Sequence, residues 1–178
     1  MKAKTVSISF ILLFVMYQTG YSQQENSVFD AIRNNDIVNF QESITNDKTI
    51  INKKNGRGFT PLILASYYNR LEMVKALIAK NADIDTNSPM GTALMAATYK
   101  GNTDIVKTLL EHHANVNIPD ENGTTALHYA CFLNNTEIAT LILDKNPNTN
   151  SKDNKGKTPL DYAILNDNIT IIKHFNHE

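Results

Sequence analysis

Thr125-Ala126-Leu127-His128-Tyr129-Ala130 is one of four phrases on which the reading of this chain turns. The others are Thr60-Pro61-Leu62-Ile63-Leu64-Ala65, Thr92-Ala93-Leu94-Met95-Ala96-Ala97 and Thr158-Pro159-Leu160-Asp161-Tyr162-Ala163. Their threonines stand 32, 33 and 33 residues apart. A period near that length marks a supersecondary unit that cannot bury its apolar face alone and stacks on its neighbours. Each phrase also opens a helix for a local reason. Threonine offers its hydroxyl to an unpaired N–H of the first turn, and Pro61 and Pro159 have no N–H to lose there. The columns Leu62/Leu94/Leu127/Leu160 and Ala65/Ala97/Ala130/Ala163 fall on one face of that helix, and alanine lets adjacent repeats approach closely.

After each phrase comes a polar turn and a second apolar run: Leu71–Ile78, Asp104–Leu110 and Glu137–Leu143. Val74/Val106/Ala139/Ile172 and Leu77/Leu109/Ile142/Phe175 supply the buried stripe of this second helix. The turns carry Asn69, Gly101, Asn134 and Asp167, and the second helices end on Asn81, His113 and Asn146. These positions suit left-handed helix termination. The runs close with Asn81-Ala82-Asp83-Ile84-Asp85, His113-Ala114-Asn115-Val116-Asn117 and Asn146-Pro147-Asn148-Thr149-Asn150.

The phrases resemble the Thr-Pro-Leu-His-x-Ala signature of ankyrin repeats, and the closes resemble the Gly-Ala-Asp-Val-Asn of the same family. The resemblance implies an all-α solenoid of stacked helix-turn-helix pairs with short β-hairpin finger loops. It covers residues 26 to 178, divided as a degenerate N-terminal cap repeat 26–55, repeats 56–87, 88–120 and 121–153, and a C-terminal cap repeat 154–178. Polar Asn166, Asp167, Asn168 and Lys173 are expected to finish the C-terminal end. Two departures stand out. The finger between Ile84 and Thr92 is one residue short, with Pro89-Met90 where a glycine normally leads into the threonine. The signature histidine occurs only as His128, replaced elsewhere by Ile63, Met95 and Asp161, so weaker ties between loops are expected in those repeats.

Of 178 residues, 42% are hydrophobic and 20% charged, the balance of one soluble domain. The domain is read as residues 23–178, because 1–22 look like a secretory signal peptide. Lys2 and Lys4 precede an apolar stretch from Val6 to Met16, and Gly20-Tyr21-Ser22 places small residues at −3 and −1. Cleavage is expected before Gln23. The stretch is short of the roughly 20 apolar residues of a spanning helix, so no membrane insertion is expected after cleavage. A lipidated N-terminus is ruled out by the position of the only cysteine, Cys131. Loss of Lys2 and Lys4 leaves 15 basic against 18 acidic residues, a net charge near −3. That sign disfavours nucleic acid or an anionic membrane as partner. The expectation is a periplasmic or secreted monomer.

No nucleophile elbow, phosphate-binding glycine loop, His-Glu-x-x-His or Cys-x-x-Cys is present, so neither an enzyme nor a cofactor is expected. Cys131 falls in the column Ser66/Thr98/Cys131/Ile164, where a small packed residue belongs. His128 sits where the family uses histidine to hold loop against helix. A redox or metal-handling protein using Cys131 with His128, or His174 with His177, is the alternative reading. The main one is a non-enzymatic interaction module, an exported adaptor or inhibitor that binds another envelope or secreted protein through its concave face. Its expected binding residues precede the inter-helix turns: Tyr67 and Tyr68, Tyr99 and Lys100, Phe132 and Leu133, Leu165 and Asn166. The column Tyr67/Tyr99/Phe132/Leu165 forms an aromatic-rich ladder of the kind found in hot spots. Alternating finger charges, Lys53, Lys54 and Arg57, then Asp120 and Glu121, then Lys152, Asp153 and Lys155, are candidates for setting partner register.

Overall fold

The computed structural model describes residues 28–175, so the expected leader and His177 lie outside the described residues. Residues 28–34 form α1. There follow α2 (Ile37–Asn46), a 3-10 turn (Lys48–Asn52), α3 (Pro61–Tyr67), α4 (Leu71–Ala79), α5 (Ala93–Lys100) and α6 (Thr103–Glu111). The chain ends with α7 (Ala126–Phe132), α8 (Thr136–Leu143), α9 (Pro159–Leu165) and α10 (Ile169–Phe175). The first helices of each pair, α3, α5, α7 and α9, pack in series as an inner layer, and α4, α6, α8 and α10 form the outer one. Among the described residues no helix is long and apolar enough to cross a membrane.

The local signals act as expected. Thr60, Thr92 and Thr158 accept the N–H groups of Ile63, Met95 and Asp161 at 3.3, 3.4 and 3.2 Å. Asn69, Gly101, Asn134 and Asp167 all have positive φ, as do Asn81, His113 and Asn146. Asn35, also left-handed, extends the turn column into the first pair. Ala65, Ala97, Ala130 and Ala163 are fully buried, with Val74, Val106, Ala139, Leu77, Leu109 and Ile142. Leu160, Ile172 and Phe175 are only half-buried, because among the described residues no further pair packs on the last one. Ser66, Thr98 and Cys131 are buried at the inner-layer interface, and the hydroxyls of Ser66 and Thr98 have no hydrogen-bond partner there.

Neighbouring repeats are stitched by polar side chains. Asn52, Asp85 and Asn117 each accept a backbone N–H from the next repeat, those of Asp83, Asn115 and Asn148, at 2.9, 2.9 and 2.7 Å. Arg70 donates to the carbonyls of Ile32 and Arg33, and Asn102 to that of Ser66. The loops of repeats lacking the signature histidine are therefore not left untied. Lys54 Nζ donates to Asn87 O and Asn87 Nδ2 to Pro119 O, each at 2.9 Å.

The fingers are tight turns. Three close between residues four apart, Asn55–Phe59, Asp120–Thr124 and Asp153–Lys157, each at 2.9 Å. The short finger closes differently. Ser88 and Gly91 exchange both backbone hydrogen bonds around Pro89-Met90, making the single β-bridge among the described residues. Deleting one residue has moved the glycine next to the threonine, where Gly91 takes a φ of +92°.

At the C-terminal end two of the four polar residues named from sequence act differently from the expectation. Asn166 turns inward to the carbonyls of Cys131 and Phe132, and Asn168 to Asn134 and Thr136. Ile164, Leu165 and Ile169 are left 52%, 66% and 59% exposed. The two asparagine amides thus cap the preceding repeat, while Asp167 and Lys173 stay exposed beside these apolar side chains.

Candidate protein-binding surface

The inner helices and the fingers border a common hollow, and the residues singled out from sequence surround it unevenly. Tyr67 is half-buried, and Tyr68, Tyr99, Lys100, Phe132, Leu133, Leu165 and Asn166 are exposed. Phe132 and Leu165, at 56% and 66%, are the most exposed of its apolar and aromatic side chains. Asn166 is the exception in role, since its amide is spent on the Cys131 and Phe132 carbonyls.

The column Tyr67/Tyr99/Phe132/Leu165 pairs its rings with a second column one turn earlier in the next repeat, at Leu64/Ala96/Tyr129/Tyr162. Tyr99 meets Tyr129 edge-on at 5.7 Å and 78°, and Phe132 meets Tyr162 at 5.5 Å and 81°. Tyr67 has Ala96 in the corresponding place. It packs instead against Tyr68 at 5.2 Å, with Lys100 Nζ 5.0 Å from its centroid, within cation–π reach. A recess of about 450 Å³ opens there, bordered by Leu64, Tyr67, Met90, Met95, Ala96 and Tyr99 and reaching the fingers at Arg57 and Asn122.

Tyr129 and Tyr162 also organise the third and fourth fingers. Their hydroxyls donate to Asp120 Oδ2 and Asp153 Oδ2, at 2.9 and 2.5 Å. The other carboxylate oxygen of each aspartate accepts two finger N–H groups: Asn122 and Thr124 on Asp120, Lys155 and Lys157 on Asp153. Burial raises the Asp153 pKa, but the Tyr162 hydroxyl and the two amides outweigh it and hold the carboxyl below its usual range. Tyr162 rises to about 12, chiefly through its bond to that carboxylate, and Tyr129 to about 12 through burial and then Asp120. Asp120 and Asp153 are buried and committed to their own fingers, so they are not the free tip charges the sequence suggested. The signal for them was present, an aspartate nine residues before a tyrosine in both repeats.

His128 is fully buried. Its Nδ1 accepts the Thr125 N–H at 3.1 Å and lies 2.8 Å from Thr125 Oγ1, while Nε2 faces Lys157 O at 3.2 Å. That arrangement fits the tautomer with its proton on Nε2 and ties helix to neighbouring finger. Burial lowers its pKa and pushes the Cys131 thiol up to about 12. With both imidazole nitrogens engaged and the thiol held protonated, each of the two is a packed side chain of the inner layer. His174 lies 3.2 Å from Asp144, and its proposed companion His177 is outside the described residues.

The family model for ankyrin repeats (3 copies) matches residues 28–120 and 112–176, nearly all of the described chain. The chain belongs to the ankyrin repeat family. Ankyrin arrays are protein–protein interaction modules. Among curated relatives, mouse ankyrin repeat and SAM domain-containing protein 6 is 37% identical over 65% of this chain and 13% of its own length. The E3 ubiquitin-protein ligase hecd-1 of Caenorhabditis elegans is 30% identical over 63% of this chain and 4% of itself. Human transient receptor potential cation channel subfamily A member 1 is 35% identical over 53% of this chain and 9% of itself. The similarity thus spans a small part of each of these relatives.

Proposed function

We propose that this chain is an exported, non-catalytic ankyrin array that binds another envelope or secreted protein, as adaptor or inhibitor, through the hollow face. The observation that carries the reading is the exposed row Tyr68, Tyr99, Phe132 and Leu133 beside a preformed recess. Large, rigid side chains around a cavity bury much area at small entropic cost on association. Export is supported by Lys2 and Lys4, the apolar stretch after them and the small residues before Gln23. A net charge near −3 after cleavage favours a protein over a polyanion as partner.

The test is affinity capture from the native envelope fraction, with the wild-type chain compared with Tyr68→Ala/Lys100→Ala/Leu133→Ala. These side chains are exposed, and a circular dichroism spectrum of the variant checks that it keeps its fold. A protein held by the wild type and lost with the variant is the expected result. Retention of the same protein by both chains moves the binding face elsewhere. N-terminal sequencing of the mature chain is expected to begin at Gln23; an intact Met1 in the envelope fraction contradicts cleavage.

A further inference from the structure

The recess lies beside Ala96, where the inner helix lacks the ring that the next two repeats carry. In the next two repeats the place one turn into the inner helix is filled by Tyr129 and Tyr162, each edge-on to the ring of the repeat before it. At Ala96 no side chain projects beyond a methyl group, and Tyr67 keeps its ring at the border of the space. Met90 and Met95 line the other side, and thioethers adapt to inserted aromatic groups. The opening has its own electrostatics. Arg57, exposed on the first finger, has a guanidinium with no hydrogen-bond or ion-pair partner among the described residues, and Lys100 stands over Tyr67. The lining carboxylate, Asp120, is already committed to its own finger and Tyr129.

We infer that the recess at Ala96 takes an aromatic side chain from a partner protein, presented on a segment whose neighbouring residues are acidic. The inference rests on the reading of the hollow face as the binding surface, and names the chemistry that surface selects. The inserted ring stands toward Tyr67 as Tyr129 stands toward Tyr99, an edge-to-face pair in a partly dry site. Flanking carboxylates meet Arg57, whose planar fork accommodates one bidentately. The size agrees, since about 450 Å³ accommodates one large side chain with the backbone that carries it.

The experiment uses the mature chain with 13C-methyl methionine and three capped peptides. One has phenylalanine between glutamates, one alanine between glutamates, and one phenylalanine between lysines. The first is expected to shift the Met90 and Met95 methyl signals saturably and to bind about tenfold more tightly than either of the others. Ala96→Tyr, which builds the absent ring into the chain, is expected to abolish these shifts. Arg57→Glu, at an exposed position that does not endanger the fold, is expected to reverse the preference between the glutamate and lysine peptides. Equal affinity for the phenylalanine and alanine peptides overturns the inference, as does the absence of saturable shifts. If a captured partner is lost with the Tyr68/Lys100/Leu133 variant yet retained by Ala96→Tyr, the inference fails while the interaction-module reading stands.

Discussion

Cys131 and His128 carry the residue-scale consequences. A thiol pushed up to about 12 by burial has almost no thiolate near neutral pH. The native chain is therefore expected to resist an alkylating reagent at pH 7 and to react once denatured; rapid native labelling contradicts this packing. His128 couples the fold to pH. Burial lowers its pKa below 6.5, so the folded chain keeps the imidazole neutral while the unfolded chain takes up a proton. Its contribution is complete above the unfolded value of 6.5 and is lost as pH falls from there towards the folded value. Urea midpoints at about pH 7.5 and about pH 5.5 are expected to differ more for the wild type than for His128→Gln. Equal differences in the two chains contradict the role. Replacing His128 by alanine is expected to cost about 1–3 kcal/mol, because the Thr125 N–H and the Lys157 carbonyl lose their partner.

At the scale of elements, the short finger gives the sharpest expectation. Gly91 has a φ of +92°, and a Cβ there would lie 2.5 Å from Met95 Sδ. Gly91→Ala is expected to lower stability by about 1–3 kcal/mol, measured by thermal or urea unfolding. Gly56→Ala, at a finger position with no atom within 4 Å of the added carbon, is expected to be near neutral. Similar losses in both variants contradict the assignment of strain to the two-residue closure. The helices and their ends were legible because their signals are local: a threonine, an apolar column and a left-handed residue per repeat. The finger closure was not, since losing one residue changes which pair of residues closes the loop. Tyr129 and Tyr162 were missed for a related reason. Each lies inside the repeated phrase, where apolar spacing explains it as core, and its aspartate sits on another element. The repeat of nine residues between Asp120 and Tyr129, and between Asp153 and Tyr162, is the trace that pairwise reading recovers. The inward turn of Asn166 was equally hidden, because its acceptors belong to the preceding repeat.

For the whole molecule, stability is distributed along the stack, with each pair held by its neighbours. Among the described residues the last pair has one neighbour, and α10 buries only Ile171 completely. Its amides are expected to exchange with solvent sooner than those of α6 and α8, which lie between repeats on both sides; uniform protection along the array contradicts nearest-neighbour coupling. The same geometry separates two surfaces. The outer helices expose charged pairs such as Lys75–Glu72 and Lys107–Glu137, whereas the inner face carries the exposed rings and the recess. The measurement that tests this division most directly is photocrosslinking in the cells that make the chain, with benzoylphenylalanine placed at Tyr99 on the inner face or at Glu111 on the outer. The account predicts a discrete crosslinked protein from position 99 and none from position 111. A partner crosslinked from position 111 alone contradicts it.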